Sequence, residues 1–179
     1  GEAALVLAAA KKLGRPARRT ADRSESSLTD AHGRDHVTKI ELGCTKDGEI
    51  LAIRTETLAN VGAYLSNFST ATPTFLHGTL MAGPYKVPNV YVNVKTVFTN
   101  TAPVDAYRGA GRPEATFSLE RVIDKMCREL NLDPFEVRRK NLLTPDQFPY
   151  TTPVGLVYDT GNYQATLDKA IQIADVAGF

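Results

Sequence analysis

Residues 105–114 read Asp-Ala-Tyr-Arg-Gly-Ala-Gly-Arg-Pro-Glu, and no other stretch of the chain gathers so many groups able to do chemistry. Gly109 and Gly111 permit positive φ and lack the Cβ atoms that would hold a bulky ligand away from the backbone. Arg108 and Arg112 offer forked donors for oxyanions or carbonyl groups. Pro113 suits the first position of a helix, and Glu114 suits the positive end of that helix. The stretch therefore reads as a loop for close approach of something polar and planar, leading at once into a helix. It is not a dinucleotide fingerprint, because Glu114 stands where the third glycine belongs. It is not a Walker loop either, since no Gly-Lys-Ser/Thr follows.

Other chemistry-bearing residues give weaker signals. His32 and His36 have a spacing that suits a metal on a helix, but Gly33 points to a loop and no third ligand lies nearby. They are expected to be structural or surface histidines. His77 stands alone without an obvious partner, and no nucleophile–histidine arrangement supports hydrolysis. Cys44 and Cys127 are far apart and lack metal-ligand spacing, which fits a reducing compartment or simple burial better than a disulfide. No metal ligands are assigned.

The elements that must position the loop follow from pattern. Residues 2–13 predict an alanine-rich helix ending at Gly14, with a short strand around Ala17–Ala21 and a polar loop over Ser24–His36. Thr38, Ile40, Leu42 and Cys44 alternate with polar neighbours, as do Leu51, Ile53 and Thr55, around an Asp47-Gly48 hairpin turn. Residues 65–82 are ambiguous and suit a short helix before Gly83-Pro84. Val90, Val92, Val94, Thr96 and Phe98 give a further strand. Leu119, Val122, Ile123, Met126, Cys127 and Leu130 form the buried stripe of a helix over about 114–130, which makes Cys127 a core residue. Asp133-Pro134-Phe135-Glu136 resembles a capping box opening a short basic helix. Residues 144–162 read as an irregular connector, and Leu167, Ala170, Ile171 and Ala174 mark a last helix. The order suggests an α+β fold, antiparallel strands with flanking helices, in a single partial domain over 1–179.

Size and charge bound the class. The 179 residues suffice for one core, and the mixed charges sum to +1, so neither a nucleic-acid nor a membrane surface is suggested. No apolar run is long enough to span a bilayer. In LVLAAA the basic residues follow the apolar stretch, unlike a secretory signal. A cytoplasmic location is expected.

AYRGAGRPEA (106–115) resembles the active-site loop of molybdenum hydroxylase large subunits, the family of xanthine dehydrogenase, aldehyde oxidase and aerobic carbon monoxide dehydrogenase. Segments 13–26, DAHGRDH (30–36), ANVGAY (59–64), GPYKVPNV (83–90), 99–115, 120–143 and 149–163 resemble successive family segments in collinear order. The resemblance implies a piece of a longer, molybdopterin-binding subunit. Its cofactor would be molybdopterin in the cytosine dinucleotide form, with iron–sulfur and FAD groups on partner subunits or domains, in a dimer of the assembled enzyme. The implied activity is hydroxylation of a small-molecule substrate with water-derived oxygen. Arg108 takes an implied supporting catalytic role, and Arg108, Gly109, Ala110, Gly111 and Arg112 are the implied cofactor-binding residues.

Departures from the family pattern narrow this. Copper–molybdenum carbon monoxide-oxidising members carry AYR-Cys-Ser-Phe-Arg, and their cysteine binds copper; here Gly109, Ala110 and Gly111 leave no thiolate for Cu(I). The chain is similar instead to the AYRGAGR-type (form II) chains. Purine-oxidising members place an aromatic at Ala110 and an arginine near Leu76, and neither is present. Aldehydes or N-heterocycles are the expected substrates. The general-base glutamate and the main cofactor motifs have no counterpart in these residues, so the isolated chain is expected to be inactive. Rival readings are a non-catalytic structural or interaction module of the same fold, and a nucleotide-binding domain using the Gly-Ala-Gly loop.

Overall fold

The computed structural model describes residues 2–178, which divide after Asp30 into two compact units. The first holds helix α1 (Glu2–Leu13), followed by Gly14 in the left-handed conformation, and α2 (Arg23–Thr29). No residue of either helix is buried. The expected strand at 17–21 does not form, and α2 occupies part of the expected polar loop. That helix is held by its cap: the Asp22 carboxylate accepts from the Glu25 amide at 2.8 Å, and the Glu25 side chain accepts from the Asp22 amide at 3.0 Å. Arg19 ties Glu2 at 2.8 Å within the same unit.

The second unit is built on strands β1 (His36–Cys44), β2 (Ile50–Gly62) and β3 (Asn89–Phe98), in that order across one sheet. β1 and β2 form the expected hairpin. Its turn is closed by Gly48 N donating to Thr45 O at 3.1 Å, with Gly48 at φ 82°. β3 pairs with β2 in parallel, Ile53 opposite Val90, so the sheet is mixed where antiparallel strands were expected. Alternation identifies a strand but carries no information about the direction of its neighbour. A parallel partner requires a long crossover, and residues 63–88 supply it. They include a π-helix, Thr72–Leu76, where the sequence suggested a short helix.

Helix α3 (Arg112–Leu130) starts two residues earlier than expected and lays its stripe on the sheet. Leu119, Ile123, Met126 and Cys127 are buried against Ile50 and Ile53 of β2 and Met81, Tyr85 and Val87 of the crossover. Each large side chain removed from water contributes about 1.5–3 kcal/mol, which fixes α3 and therefore the loop that precedes it. Helix α4 (Pro134–Asn141) follows, its first amides taken by Asp133 at 2.7 and 2.9 Å. The 144–162 stretch carries a 3₁₀ turn (Pro145–Gln147) and two two-residue strands, β4 (Tyr150–Thr151) and β5 (Val157–Tyr158). The last helix, α5 (Tyr163–Ile173), touches the core through Tyr163 and Leu167.

Asn141 locks α4 to the hairpin. Its carboxamide accepts from Ile50 N and donates to Gly48 O and Val137 O, all at 2.8 Å, and the residue is buried. Asn141→Ala takes the side-chain partner from the Ile50 amide and the Gly48 carbonyl, both in buried residues, and should destabilise the chain by on the order of 3 kcal/mol. Urea unfolding beside Lys125→Ala, which removes only an exposed ion pair, checks this; equal midpoints for the two variants would contradict it.

Candidate functional site

The loop after Val104 is a left-handed turn. Gly109, Ala110 and Gly111 have φ of 102°, 46° and 88°, so three successive residues occupy the region that suits glycine. Ala110 N donates to Tyr107 O at 2.7 Å and Arg112 N to Gly109 O at 3.1 Å, closing the turn at the start of α3. The two glycines are needed for reasons inside the chain. A Cβ on Gly109 would stand 2.5 Å from Pro113 Cγ, and one on Gly111 would stand 2.3 Å from the carbonyl oxygen of Thr72. The clearance that the sequence suggested for a ligand is occupied here by the protein's own atoms. The π-helix is thus the backing against which the turn is pressed. Such insertions recur at functional sites.

Two further contacts set the approach to the turn. Asp105 accepts from the Ser66 hydroxyl and the Ala106 amide. Burial works against its charge, but the Ser66 hydroxyl and the amides of Ala106, Phe68 and Asn67 outweigh this and hold its pKa below the usual carboxylate value. At the end of β2, Asn60 uses both ends of its carboxamide. Its oxygen accepts from Gly62 N at 2.7 Å and the Thr99 hydroxyl at 2.8 Å, while its NH₂ donates to Asp35 at 2.7 Å and Thr101 at 2.9 Å. Gly62, at φ 79°, lets the chain pass Ala102 so closely that a Cβ would meet its carbonyl at 2.4 Å. ANVGAY thus binds three segments into one support.

Of the five loop residues singled out from sequence, all are contiguous in this turn, and their exposures differ. Arg108 and Arg112 are exposed, Gly109 and Ala110 half-buried, and Gly111 buried. Arg112 folds back, donating to Gly109 O at 3.3 Å. No side chain caps α3, whose N-cap is the buried Gly111 itself, so the positive end of this 19-residue helix lies at the turn.

Sequence reasoning missed the group behind the turn. His77, alone in the sequence, is fully buried and meets the ring of His36 edge-on, centroids 5.1 Å apart. Neither nitrogen of His77 has a hydrogen-bond partner of good geometry, and His36 Nδ1 and Glu114 Oε1 are buried and equally unpartnered. Burial holds His77 neutral, with a pKa lowered to about 4; the neighbouring His36 lowers it further, while the Gly111 carbonyl and Glu114 favour the proton. Burial also lowers the pKa of His36, against the pull of Glu114 and Asp35. Beside them, Arg34, Asp35, His36, Thr38, Glu114 and Phe117 are among the residues lining a cleft of about 670 Å³. The pairing spans β1 and the crossover, so only their spacing in three dimensions reveals it.

The chain matches the model of the molybdopterin cofactor-binding domain over residues 1–142. It belongs to that family. It is 38% identical over 95% of its length to the carbon monoxide dehydrogenase large chain of Hydrogenophaga pseudoflava, and 37% identical over 93% to the 6-hydroxypseudooxynicotine dehydrogenase complex subunit gamma of Paenarthrobacter nicotinovorans. It spans 21% and 22% of those proteins. Among solved structures, quinoline 2-oxidoreductase from Pseudomonas putida 86 superposes with a TM-score of 0.89 at 32% identity, covering 98% of this chain and 22% of that one. The α+β expectation and the family resemblance therefore hold. Among the described residues, no helix is long and apolar enough to cross a membrane.

The buried histidines make the support sensitive to acid. In the unfolded chain His77 titrates near 6.5 and in the folded chain near 4. Between these values the unfolded chain binds more protons, so stability falls as pH drops, by on the order of 3 kcal/mol in total. His77→Phe removes that titration and should move the midpoint of acid unfolding to lower pH. A midpoint that stays in place, or rises, would contradict a buried neutral His77.

Proposed function

We propose that this chain is part of the molybdopterin-binding large subunit of an enzyme that hydroxylates N-heterocycles or aldehydes with water-derived oxygen. The observation that carries the substrate reading is the absence of sulfur in the turn. Gly109, Ala110 and Gly111 offer no thiolate, Cys127 is buried in the α3 core, and Cys44 sits at the far end of β1. A soft Cu(I) centre has no ligand in this loop. The relatives named for 6-hydroxypseudooxynicotine and quinoline support the same direction.

The residues of the turn fit a cofactor that bears phosphate and oxo groups. Two exposed guanidinium groups and an uncapped helix N-terminus converge in sequence at 108–114, a donor set suited to oxyanions. When bound, molybdopterin would supply the two-electron redox chemistry. Arg108 would place positive charge where negative charge gathers on cofactor or substrate. Gly109, Ala110, Gly111 and Arg112 would offer backbone and guanidinium contacts. The cytosine dinucleotide form, iron–sulfur and FAD groups on partner subunits, a dimeric assembly and a cytoplasmic location complete the reading.

The test is the composition of the full-length gene product expressed with its neighbouring genes. Stoichiometric molybdenum and pterin without copper, together with oxidation of quinoline- or nicotine-type heterocycles or of aldehydes, is expected. Stoichiometric copper with oxidation of carbon monoxide would overturn the substrate reading. A folded, matured protein lacking both metals would overturn the enzymatic one.

A further inference from the structure

Arg34 belongs to the DAHGRDH segment, which the proposed function leaves without a role. The segment is built to run beside the loop. His32 N donates to Pro103 O at 2.9 Å and Asp105 N to His32 O at 2.7 Å, a short parallel bridge that brings residues 32–35 alongside 104–107. Gly33 leaves the space that Tyr107 fills, since a Cβ there would stand 2.5 Å from Tyr107 Cβ.

Arg34 and Asp35 then both adopt left-handed backbone, φ 73° and 67°, without being glycine. Such residues are strained by about 1 kcal/mol or more and persist only where the surroundings over-determine them. Asn60 supplies that determination, bonding Asp35 through both its side chain at 2.7 Å and its amide at 3.1 Å. The consequence is the aim of the Arg34 side chain. Nη2 donates to the carbonyl of Arg108 at 3.3 Å, Nη1 donates to the Glu114 carboxylate at 3.4 Å, and the guanidinium lies 5.2 Å from the centre of the Tyr107 ring. One planar group therefore grips the residue before the left-handed turn, the residue at its entry and the first turn of α3.

We propose that Arg34 is a positioning residue that clasps the 107–114 loop and fixes the geometry it presents to the cofactor; the link to the cofactor rests on the proposed function, and the clasp itself does not. A point charge serves poorly here. Lysine reaches the Glu114 carboxylate or the Arg108 carbonyl but cannot fork to both. Each contact is long and partly solvated, so the effect is on the order of the loop rather than on the stability of the fold, which the α3 core carries.

Amide hydrogen exchange in the full-length protein, with Arg34→Ala and Arg34→Lys, decides this without requiring turnover. Exchange over residues 105–112 should accelerate roughly tenfold in the alanine variant and less in the lysine variant, with strands 52–61 and helix 115–127 unchanged. In the loaded enzyme, kcat per bound pterin should fall. Wild-type exchange in Arg34→Ala overturns the clasp, and so does acceleration spread equally over 52–61 and 115–127 in both variants. Should the alanine variant fail to fold, the lysine variant decides: faster exchange confined to 105–112 supports the clasp, and unchanged exchange overturns it. A protein without molybdopterin would overturn the proposed function and leave the exchange result standing.

Discussion

The carbonyl oxygen of Thr72 occupies the place where any residue other than glycine at position 111 would put its Cβ. That single steric exclusion joins the π-helix of the crossover to the start of α3. It requires glycine at 111 and so leaves the N-cap of the helix without a side chain, while the glycine at 109 answers to the ring of Pro113. Once Gly111 is seated, the direction of α3 and the placement of its apolar stripe on the sheet determine where residues 107–112 must lie. The same crossover carries His77, so the seat of the turn and the buried imidazole pair belong to one packing unit.

Around that seat the chain invests polar groups where an ordinary core would be apolar. Asn60 satisfies four partners from three segments, and Asp105 gathers amides ahead of the loop. Burying these groups is tolerable because each is paired. Among the described residues the exceptions, apart from the Thr55 hydroxyl in β2, lie behind the turn: His36 Nδ1, both nitrogens of His77, the Thr72 hydroxyl and Glu114 Oε1. Desolvation disfavours the charged form of both imidazoles there, and Arg34 balances the Glu114 carboxylate from one side. A buried backing with a few unpartnered polar atoms, beside an exposed cationic loop, is the physical form of the candidate site.

Local pattern made much of this legible. The three-and-four spacing of Leu119, Ile123 and Met126 named α3 and its buried face, and Asp47-Gly48 named the hairpin. The parallel pairing of β3 was not legible, because alternation is the same whichever way a neighbour runs. Helix α2 was missed because its seven residues carry no apolar stripe; its Asp22-x-x-Glu25 cap was the readable signal. The loop residues were found by type and spacing, yet their glycines were read as clearance for a ligand when the chain's own Pro113 and Thr72 fill that space. His77 with His36, and Arg34 with Arg108 and Glu114, are contacts between distant segments, for which no short window of sequence carries a sign.

We propose that the molybdopterin cofactor recognises the geometry of the 109–111 turn, which the seat of Gly111 sets. Molybdopterin content of the full-length Gly111→Ala protein tests it most directly. The added methyl collides with the Thr72 carbonyl and forces a residue that disfavours positive φ into the turn, while the α3 core remains. The account predicts a folded protein that retains little of the wild-type pterin content. Wild-type content in that variant would contradict it.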